Sequence, residues 1–251
     1  MSDEKPSLPP DIDRSRLPFQ RGEDGLLKRE EFTAERVAYL TEQVHKSGLW
    51  KFISNEDREA SRRATLARHP AGTDLWIFGY GSLMWNPALK VTESRTARIT
   101  GYARNFCLTL ILGRAMPDKP GLMLAIEPGE GLTGIVHRID SDHVESETEI
   151  LWMREMLSGA YIPVWVDCET DDGPVAAVTF VIDKTHQRYA GEVPLAEQAR
   201  RIATAEGQAG NNRDYLYRCR GELQRMGVDD PYVEALFSAV TKLTGETGDP
   251  L

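Results

Sequence analysis

One carboxylate of this sequence stands in an unusual place for a charged side chain. The stretch 142–157 is predicted to form a helix, and positions i, i+4, i+7 and i+11 of a helix share one face. That face carries Val144, Thr148, Leu151 and Glu155. A carboxylate that continues an apolar stripe needs a partner or a chemical purpose, because its burial is otherwise unfavourable. Two interpretations of Glu155 stay open: a general acid–base, or half of a structural ion pair with a neighbouring arginine.

A glycine-rich turn follows the first predicted strand, which covers Leu75–Tyr80. The segment Phe78–Met84 reads FGYGSLM. A strand that ends in Gly-x-Gly exposes backbone N–H groups, which can bind a carboxylate, a phosphate or a developing oxyanion. A tight turn without a ligand would explain the same pattern. A dinucleotide fingerprint and a nucleophile elbow would both need glycine at Met84, so Ser82 is not expected to be a nucleophile.

The remaining chemistry-bearing residue types are scattered. The five histidines and three cysteines form no HExxH, HxxxH or CxxC motif, so we expect no metal site and no cofactor bound through one. Three well-separated cysteines predict reduced, buried thiols in a cytoplasmic protein. A second glycine-rich turn, Gly207–Arg213, ends in two amides, and we interpret Asn211 or Asn212 as the N-cap of the next helix.

Composition and charge argue against several classes of function. The 251 residues carry a formal net charge of -9, so broad attraction to nucleic acid or to anionic lipid is not expected. The chain has no run of about 18 apolar residues, so we expect no membrane-spanning helix. Its first residues lack the apolar core of a secretory signal.

The elements that must position these residues change in character along the chain. The first thirty or so residues are rich in proline and charge and predict a mobile arm. A helix with the apolar stripe Val37, Leu40 and Val44 follows it, and 51–73 is predicted to be helix or linker. We therefore divide the chain into an N-terminal extension, 1–72, and a domain, 73–251, that holds the motifs.

Within the second part, predicted strands come first and helices later. The strands are expected at 75–80, 96–111, 121–126, 134–139, 161–166 and 175–181, separated by turns with proline and glycine. Beyond the helix at 142–157, three helices are expected at 194–206, 213–226 and 231–244. This order predicts an α+β fold, with a mixed β-sheet or small β-barrel flanked by helices.

Together these motifs resemble the γ-glutamylcyclotransferase superfamily, specifically its ChaC-like, glutathione-specific branch. The resemblance runs from Trp76 to about Val240, roughly two-thirds of the chain, and implies nothing about residues 1–72. It rests on WIFGYGSLMWNP from position 76, GYxRxFC from 101, PGL from 120, RE at 154–155, GAY at 159–161 and GQAGNNRDY at 207–215.

The resemblance implies a substrate and roles for particular residues. In this family the Tyr-Gly-Ser-Leu loop holds the γ-glutamyl group through backbone groups, and a buried glutamate is the acid–base. Glu155 would then be catalytic, and the domain 73–251 would be the catalytic domain. The implied substrate-binding residues are Gly79, Tyr80, Gly81, Ser82, Leu83, Met84, Arg114 and Tyr161. Where the family usually has Arg-Gly, this chain has Arg114-Ala115.

The implied reaction needs few catalytic groups. The α-amine of a γ-glutamyl amide can attack the side-chain carbonyl to give 5-oxoproline, and for glutathione the other product is Cys-Gly. One carboxyl group can move the protons, so the resemblance implies a cytoplasmic enzyme without metal, cofactor, nucleic acid or membrane. The alternatives are a cyclotransferase for another γ-glutamyl amide and a catalytically silent binding or regulatory protein. The extension either docks a partner or packs on the core.

Overall fold

The computed structural model describes residues 26–47 and 51–246 of the chain. Most of the predicted mobile arm therefore lies outside the described residues. The helix predicted after it is present as α1 (Ala34–Ser47), and Thr33 caps its start by accepting a hydrogen bond from the backbone N–H of Arg36 at 3.1 Å.

A five-stranded mixed sheet forms the centre of the fold. Its strands in chain order are β1 (Leu75–Gly79), β2 (Glu93–Leu110), β3 (Gly121–Ile139), β4 (Tyr161–Cys168) and β5 (Val175–Ile182). Their order across the sheet is β2-β3-β1-β5-β4, with β1 parallel to β5 and the other pairs antiparallel. The sheet curls, so that its two edges meet: Arg98 of β2 exchanges backbone hydrogen bonds of 2.8 and 2.9 Å with Glu169, just beyond β4. The predicted α+β fold with a mixed sheet is confirmed.

The long strand β3 differs from the prediction, which placed a turn between two short strands. Pro128 does not break the strand, because it pairs with Tyr102 where the register of β2 and β3 shifts. Gly129 lets the strands approach closely there, since a Cβ on it would lie 2.4 Å from Cβ of Ala103. The proline and glycine that indicated a turn are instead accommodated at a β-bulge.

Helices flank both faces of the sheet. Besides α1, the described residues contain α2 (Asn55–Leu66), α3 (Val144–Glu155), α4 (Leu195–Thr204), α5 (Arg213–Arg225) and α6 (Pro231–Thr244). A short hairpin of β6 (Glu206–Gly207) and β7 (Gly210–Asn211) precedes α5. The helices α3 to α6 begin and end within two residues of the prediction.

Alternate residues of the strands fill two cores, one on each face of the sheet. On one face Trp152 of α3 packs edge-on against Phe180 of β5, with ring centroids 5.2 Å apart. On the other face α4, α5 and α6 bury Ile202, Leu216 and Val240 completely. The helix α3 is therefore fixed against the sheet along its buried side, which defines where its last residue lies.

The described part of the N-terminal extension packs on this core. Arg62 of α2 is 2% exposed and donates to Thr148 Oγ1 at 3.0 Å and to Glu145 Oε1 at 2.6 Å, both on α3. The indole N–H of Trp165 donates to the carbonyl oxygen of Thr65 at 2.8 Å. The division of the chain at residue 72 stays a prediction, but residues on its two sides share buried contacts.

Candidate active site

Glu155 is the last residue of α3. Beyond the helix, Gly159 turns the chain at φ +70° towards β4, and a Cβ there would lie 2.5 Å from Ile53 of the extension. Thr148 and Leu151, the residues before Glu155 on the predicted stripe, are fully buried. The Glu155 side chain is 17% exposed and lines a cavity of about 220 Å³.

The ionisation of Glu155 is set by two opposing effects. Burial raises the pKa of its carboxyl group above the ordinary value, whereas the adjacent Arg154 guanidinium lowers it. Nε of Arg154 lies 2.9 Å from Oε1 of Glu155. Both interpretations from the sequence therefore have a physical basis here: the carboxylate has an arginine partner, and its pKa is nevertheless raised because desolvation is the larger effect.

Three buried tyrosines surround the carboxyl group: Tyr80, Tyr161 and Tyr215. Burial raises the pKa of each phenol, and the Glu155 charge raises it further. They are therefore neutral at physiological pH. The hydroxyl of Tyr80 donates to the carbonyl oxygen of Phe180 at 2.8 Å, which holds that ring in place.

The glycine-rich turn lies directly beside these tyrosines. It is tight, since the Met84 N–H donates to the carbonyl oxygen of Gly81 at 2.8 Å. Gly81 has no side chain because the hydroxyl of Tyr215 occupies that space, 2.8 Å from where a Cβ would be. The Ser82 backbone N–H donates to the same hydroxyl, which moderates the burial-raised pKa of Tyr215. The tyrosine and the turn thus fix each other.

Arg154 connects the glycine-rich turn to the carboxyl group. Its Nη2 donates to Ser82 Oγ at 2.9 Å, and its Nη1 donates to the carbonyl oxygens of Asn86 and Pro87 at 2.5 and 2.9 Å. The same guanidinium contacts Glu155, and its side chain is only 4% exposed. One buried cation therefore holds the turn and the carboxylate in fixed relation.

A second cavity of about 180 Å³ lies next to the first, and Ser82, Met123 and Arg154 line both. Arg114 faces this second cavity and pairs with Asp214 Oδ2 at 3.0 Å. Burial lowers the pKa of Arg114, and the Asp214 carboxylate opposes that effect.

The structure brings together most of the residues that the sequence proposed. Tyr80, Gly81, Ser82 and Leu83 line one small pocket with Glu155 and Tyr161. Three others do not line that pocket: Gly79, Met84 and Arg114. Leu83 packs on Gly79, whose Cβ would lie 2.8 Å from that of Leu83, and Met84 is 4% exposed in the core. The binding roles of these residues stay predictions.

The family model described as "ChaC-like protein" matches residues 75–243. The chain belongs to the ChaC-like family. The glutathione-specific γ-glutamylcyclotransferase of Escherichia coli (strain K12) is 42% identical over 204 residues, which cover 81% of this chain and 87% of the relative. The glutathione-specific γ-glutamylcyclotransferase 1 of Rattus norvegicus is 32% identical over 67% of this chain and 79% of the relative.

A solved structure supports the fold. The crystal structure of the γ-glutamylcyclotransferase specific to glutathione from yeast superposes with a TM-score of 0.63 at 22% identity. It covers 68% of this chain and 96% of the yeast chain. The similarity is therefore one of architecture.

The N-terminal extension is partly shared within the ChaC-like family. The E. coli alignment spans 204 residues, which is more than residues 75–251 contain. Part of the alignment must therefore lie in the extension. The rat alignment covers 67% of this chain, which is about the share that residues 75–243 make up. The extension is thus common to this chain and its bacterial relative at least in part.

Several residues of the site went unrecognised in the sequence. Arg154 and Tyr215 stand inside the motifs RE and GQAGNNRDY, so their place in a ChaC-like motif was the available signal. Leu27 and Phe52 line the Glu155 cavity from the extension, which precedes the motifs on which the family resemblance rests. Arg188 lines it from the segment after β5, and no motif marks that arginine.

One prediction about the second glycine-rich turn was only half right. Asn212 occupies the N-cap position of α5, but its side chain does not cap the helix. Its amide instead pairs with the backbone of Leu122, accepting from N at 2.8 Å and donating to O at 2.9 Å. The full burial of Asn212 explains this choice, because an unpaired buried amide would be costly.

The described residues contain neither a metal site nor a membrane-spanning helix. Residues 26–47 and 51–246 contain no group of three or more His, Cys, Asp or Glu placed to hold a metal ion. In the same ranges, no helix has the length and apolar character that crossing a bilayer requires.

Proposed function

We propose that this chain cleaves glutathione by intramolecular cyclisation of the γ-glutamyl group, releasing 5-oxoproline and Cys-Gly. The observation that carries the proposal is the largely buried Glu155 carboxyl, held beside the Tyr-Gly-Ser-Leu turn at the edge of a cavity. Relatives named glutathione-specific γ-glutamylcyclotransferase, at 42% and 32% identity, support the choice of substrate.

The reaction begins with proton removal. The Glu155 carboxylate accepts a proton from the α-ammonium group of the substrate, whose reference pKa is about 8. The raised pKa of Glu155 narrows the gap between the two groups, so the transfer is less unfavourable than to an exposed glutamate. The freed amine then attacks the γ-carbonyl carbon, and the new C–N bond closes a five-membered ring.

The attack of the amine leaves a tetrahedral intermediate at the γ-carbonyl carbon, and the breakdown of this intermediate returns the protons. Glu155, now a carboxylic acid, protonates the departing amide nitrogen, and the bond between that nitrogen and the γ-carbonyl carbon breaks. The attacking nitrogen gives up two protons in all and the departing nitrogen gains two, so Glu155 ends the cycle ionised. The step consumes no water and transfers no electrons.

The glycine-rich turn and Arg154 supply position rather than proton transfer. The turn binds the γ-glutamyl group, and Tyr161 forms part of the same pocket wall. An intramolecular attack gains several kcal/mol when the substrate is held folded in a reactive geometry. Since Arg154 fixes the turn against Glu155, it maintains the distance between the bound amine and its base.

Product analysis tests the proposal directly. Purified protein incubated with glutathione should release 5-oxoproline and Cys-Gly in equal amounts, and γ-Glu-Ala should react much more slowly. A preference for γ-Glu-Ala would favour the alternative of a cyclotransferase for other γ-glutamyl amides. Release of neither product from either substrate would contradict the proposal and favour a silent binding protein.

A cytoplasmic location is also part of the proposal. The three cysteines Cys107, Cys168 and Cys219 are all free and buried, which is in keeping with a reducing compartment.

A further inference from the structure

The cavity beside Glu155 contains two arginines, of which the proposed chemistry uses one. Arg154 is engaged by the glycine-rich turn and by Glu155. Arg188 also lines the cavity, and its Nη1 donates to Ser158 Oγ at 2.8 Å and its Nε to the carbonyl oxygen of Thr109 at 3.1 Å. Burial lowers the pKa of Arg188 to about 10, so the guanidinium remains charged at neutral pH.

The position of Arg188 relative to Glu155 suits one half of the substrate. Ser158 lies three residues after Glu155, so their Cα atoms are at most about 11 Å apart. Both residues line the cavity. The Cys-Gly half of glutathione spans roughly 7 Å, at up to about 3.6 Å per residue. With the scissile amide at Glu155, the Cys-Gly half is therefore long enough to bring the glycine carboxylate towards the Arg188 guanidinium.

The rest of the cavity favours this orientation. Its apolar wall consists of Leu27, Leu40, Val44, Phe52, Leu108, Leu110, Leu112, Met123 and Leu157. Glu155 is the one carboxylate among the described residues that line it. Beside such an apolar wall, an arginine attracts an incoming carboxylate more strongly than it would in water, and its planar fork matches the two carboxylate oxygens.

We propose that Arg188 binds the terminal carboxylate of the Cys-Gly half of the substrate and so determines which γ-glutamyl amides are accepted. This inference rests on the proposed function, because it takes glutathione as the substrate. Arg188 moves no proton in the reaction, so its contribution is to substrate binding.

The test compares glutathione with its glycine ethyl ester, in which that carboxylate is neutral. With wild-type protein, kcat/KM for the ester should be roughly 10–100-fold below that for glutathione, mainly through KM. Arg188→Gln should lower kcat/KM for glutathione by a similar factor and leave the ester nearly unaffected. Arg200→Gln is the matched control, because Arg200 is 61% exposed on α4 and should leave both substrates unchanged.

Other results would overturn the inference. An equal loss for both substrates in Arg188→Gln would show that Arg188 serves only to hold Ser158 and Thr109. Equal kcat/KM for glutathione and the ester in wild-type protein would show that the carboxylate is not bound at all.

Calorimetric measurement of ligand binding distinguishes failure of the Arg188 inference from failure of the proposed function. If wild-type protein released no 5-oxoproline, the proposed function would fail, and the affinities for glutathione and its ester would still test Arg188. A preference for glutathione that Arg188→Gln abolishes supports the inference, and no preference contradicts it.

Discussion

At the scale of single residues, the pKa of Glu155 depends on its contact with Arg154. Burial raises the pKa of Glu155 and Arg154 lowers it, so the working pKa lies above that of an exposed glutamate. Arg154 also donates to Ser82, which couples Glu155 to the glycine-rich turn. A change at this arginine should therefore be visible in both the pH profile and the KM.

We predict that Arg154→Met moves the acidic limb of the pH profile of kcat/KM to higher pH. Without the guanidinium, the pKa of Glu155 rises further, and a base must be ionised to act. KM should also rise, because the turn loses its link to α3. Ser82→Ala is the control: it removes one hydrogen bond to Arg154 and should keep the wild-type profile and most of the activity. An unshifted profile in Arg154→Met would contradict the assigned role.

Glu155 itself was recognisable from the sequence because helical spacing is a local property. The spacing of Thr148, Leu151 and Glu155 indicates a shared face whatever the rest of the chain does. Arg188 carries no such signal, since its place beside Ser158 depends on how distant segments pack. Asn212 shows the same limit: its position was predicted, whereas its pairing with Leu122 is a tertiary contact.

At the scale of elements, the glycine-rich turn is held by a contact with α5. Gly81 approaches the Tyr215 hydroxyl so closely that any side chain would displace the ring or the turn. The sequence predicted the strand and the glycines, but the reason for Gly81 lies about 130 residues away in the chain. Local pattern therefore identified the turn without identifying its partner.

We predict that Gly81→Ala lowers the melting temperature by several degrees, which corresponds to overpacking of roughly 1–3 kcal/mol, and raises KM. Adding Tyr215→Phe removes the hydroxyl that the new Cβ would meet and should restore part of the lost stability. The measurement is thermal unfolding of both single variants and the double variant. Additive losses would show that the contact with Tyr215 is not the reason for glycine.

The helix α1 offers a test of whether the extension forms part of the substrate cavity. Val37 and Val44 are both buried on this helix, at 3% and 2% exposure, but only Val44 lines the cavity beside Glu155. Val44→Ala should raise KM for glutathione roughly three- to tenfold, because apolar contact with the substrate is lost. Val37→Ala should lower stability comparably and leave KM unchanged. The same KM in both variants would remove α1 from the substrate cavity.

At the scale of the whole molecule, the extension and the family-like part share one site. Residues 26–47 and 51–72 supply cavity walls and buried contacts to α3, although the match to the family model begins only at residue 75. A domain boundary predicted from composition does not detect these contacts. Composition indicates which segments favour solvent, but it does not indicate which surfaces pack together. The fused strand β3 has a similar cause, since pairing with β2 overrides the local turn signals.

The stability of the fold should also report on Glu155. Its folded-state pKa is raised, so the native state holds the proton more tightly than the unfolded state does. The associated stability is fully present below the unfolded pKa, near 4.5, and is lost as pH rises through the folded pKa. Glu155→Gln removes this dependence, so its melting temperature relative to wild type should increase with pH above that value. A constant difference across pH would contradict the raised pKa.

The most direct test of the account combines turnover and melting temperature on one sample of Glu155→Gln. Glutamine keeps the shape of the side chain and an oxygen for Arg154 but cannot move a proton. We predict that the variant folds with a melting temperature at neutral pH no lower than that of wild type and still binds glutathione. Its kcat should fall on the order of 10²–10⁴-fold. A folded variant that turns over glutathione at the wild-type rate would contradict the assignment of Glu155 as the acid–base.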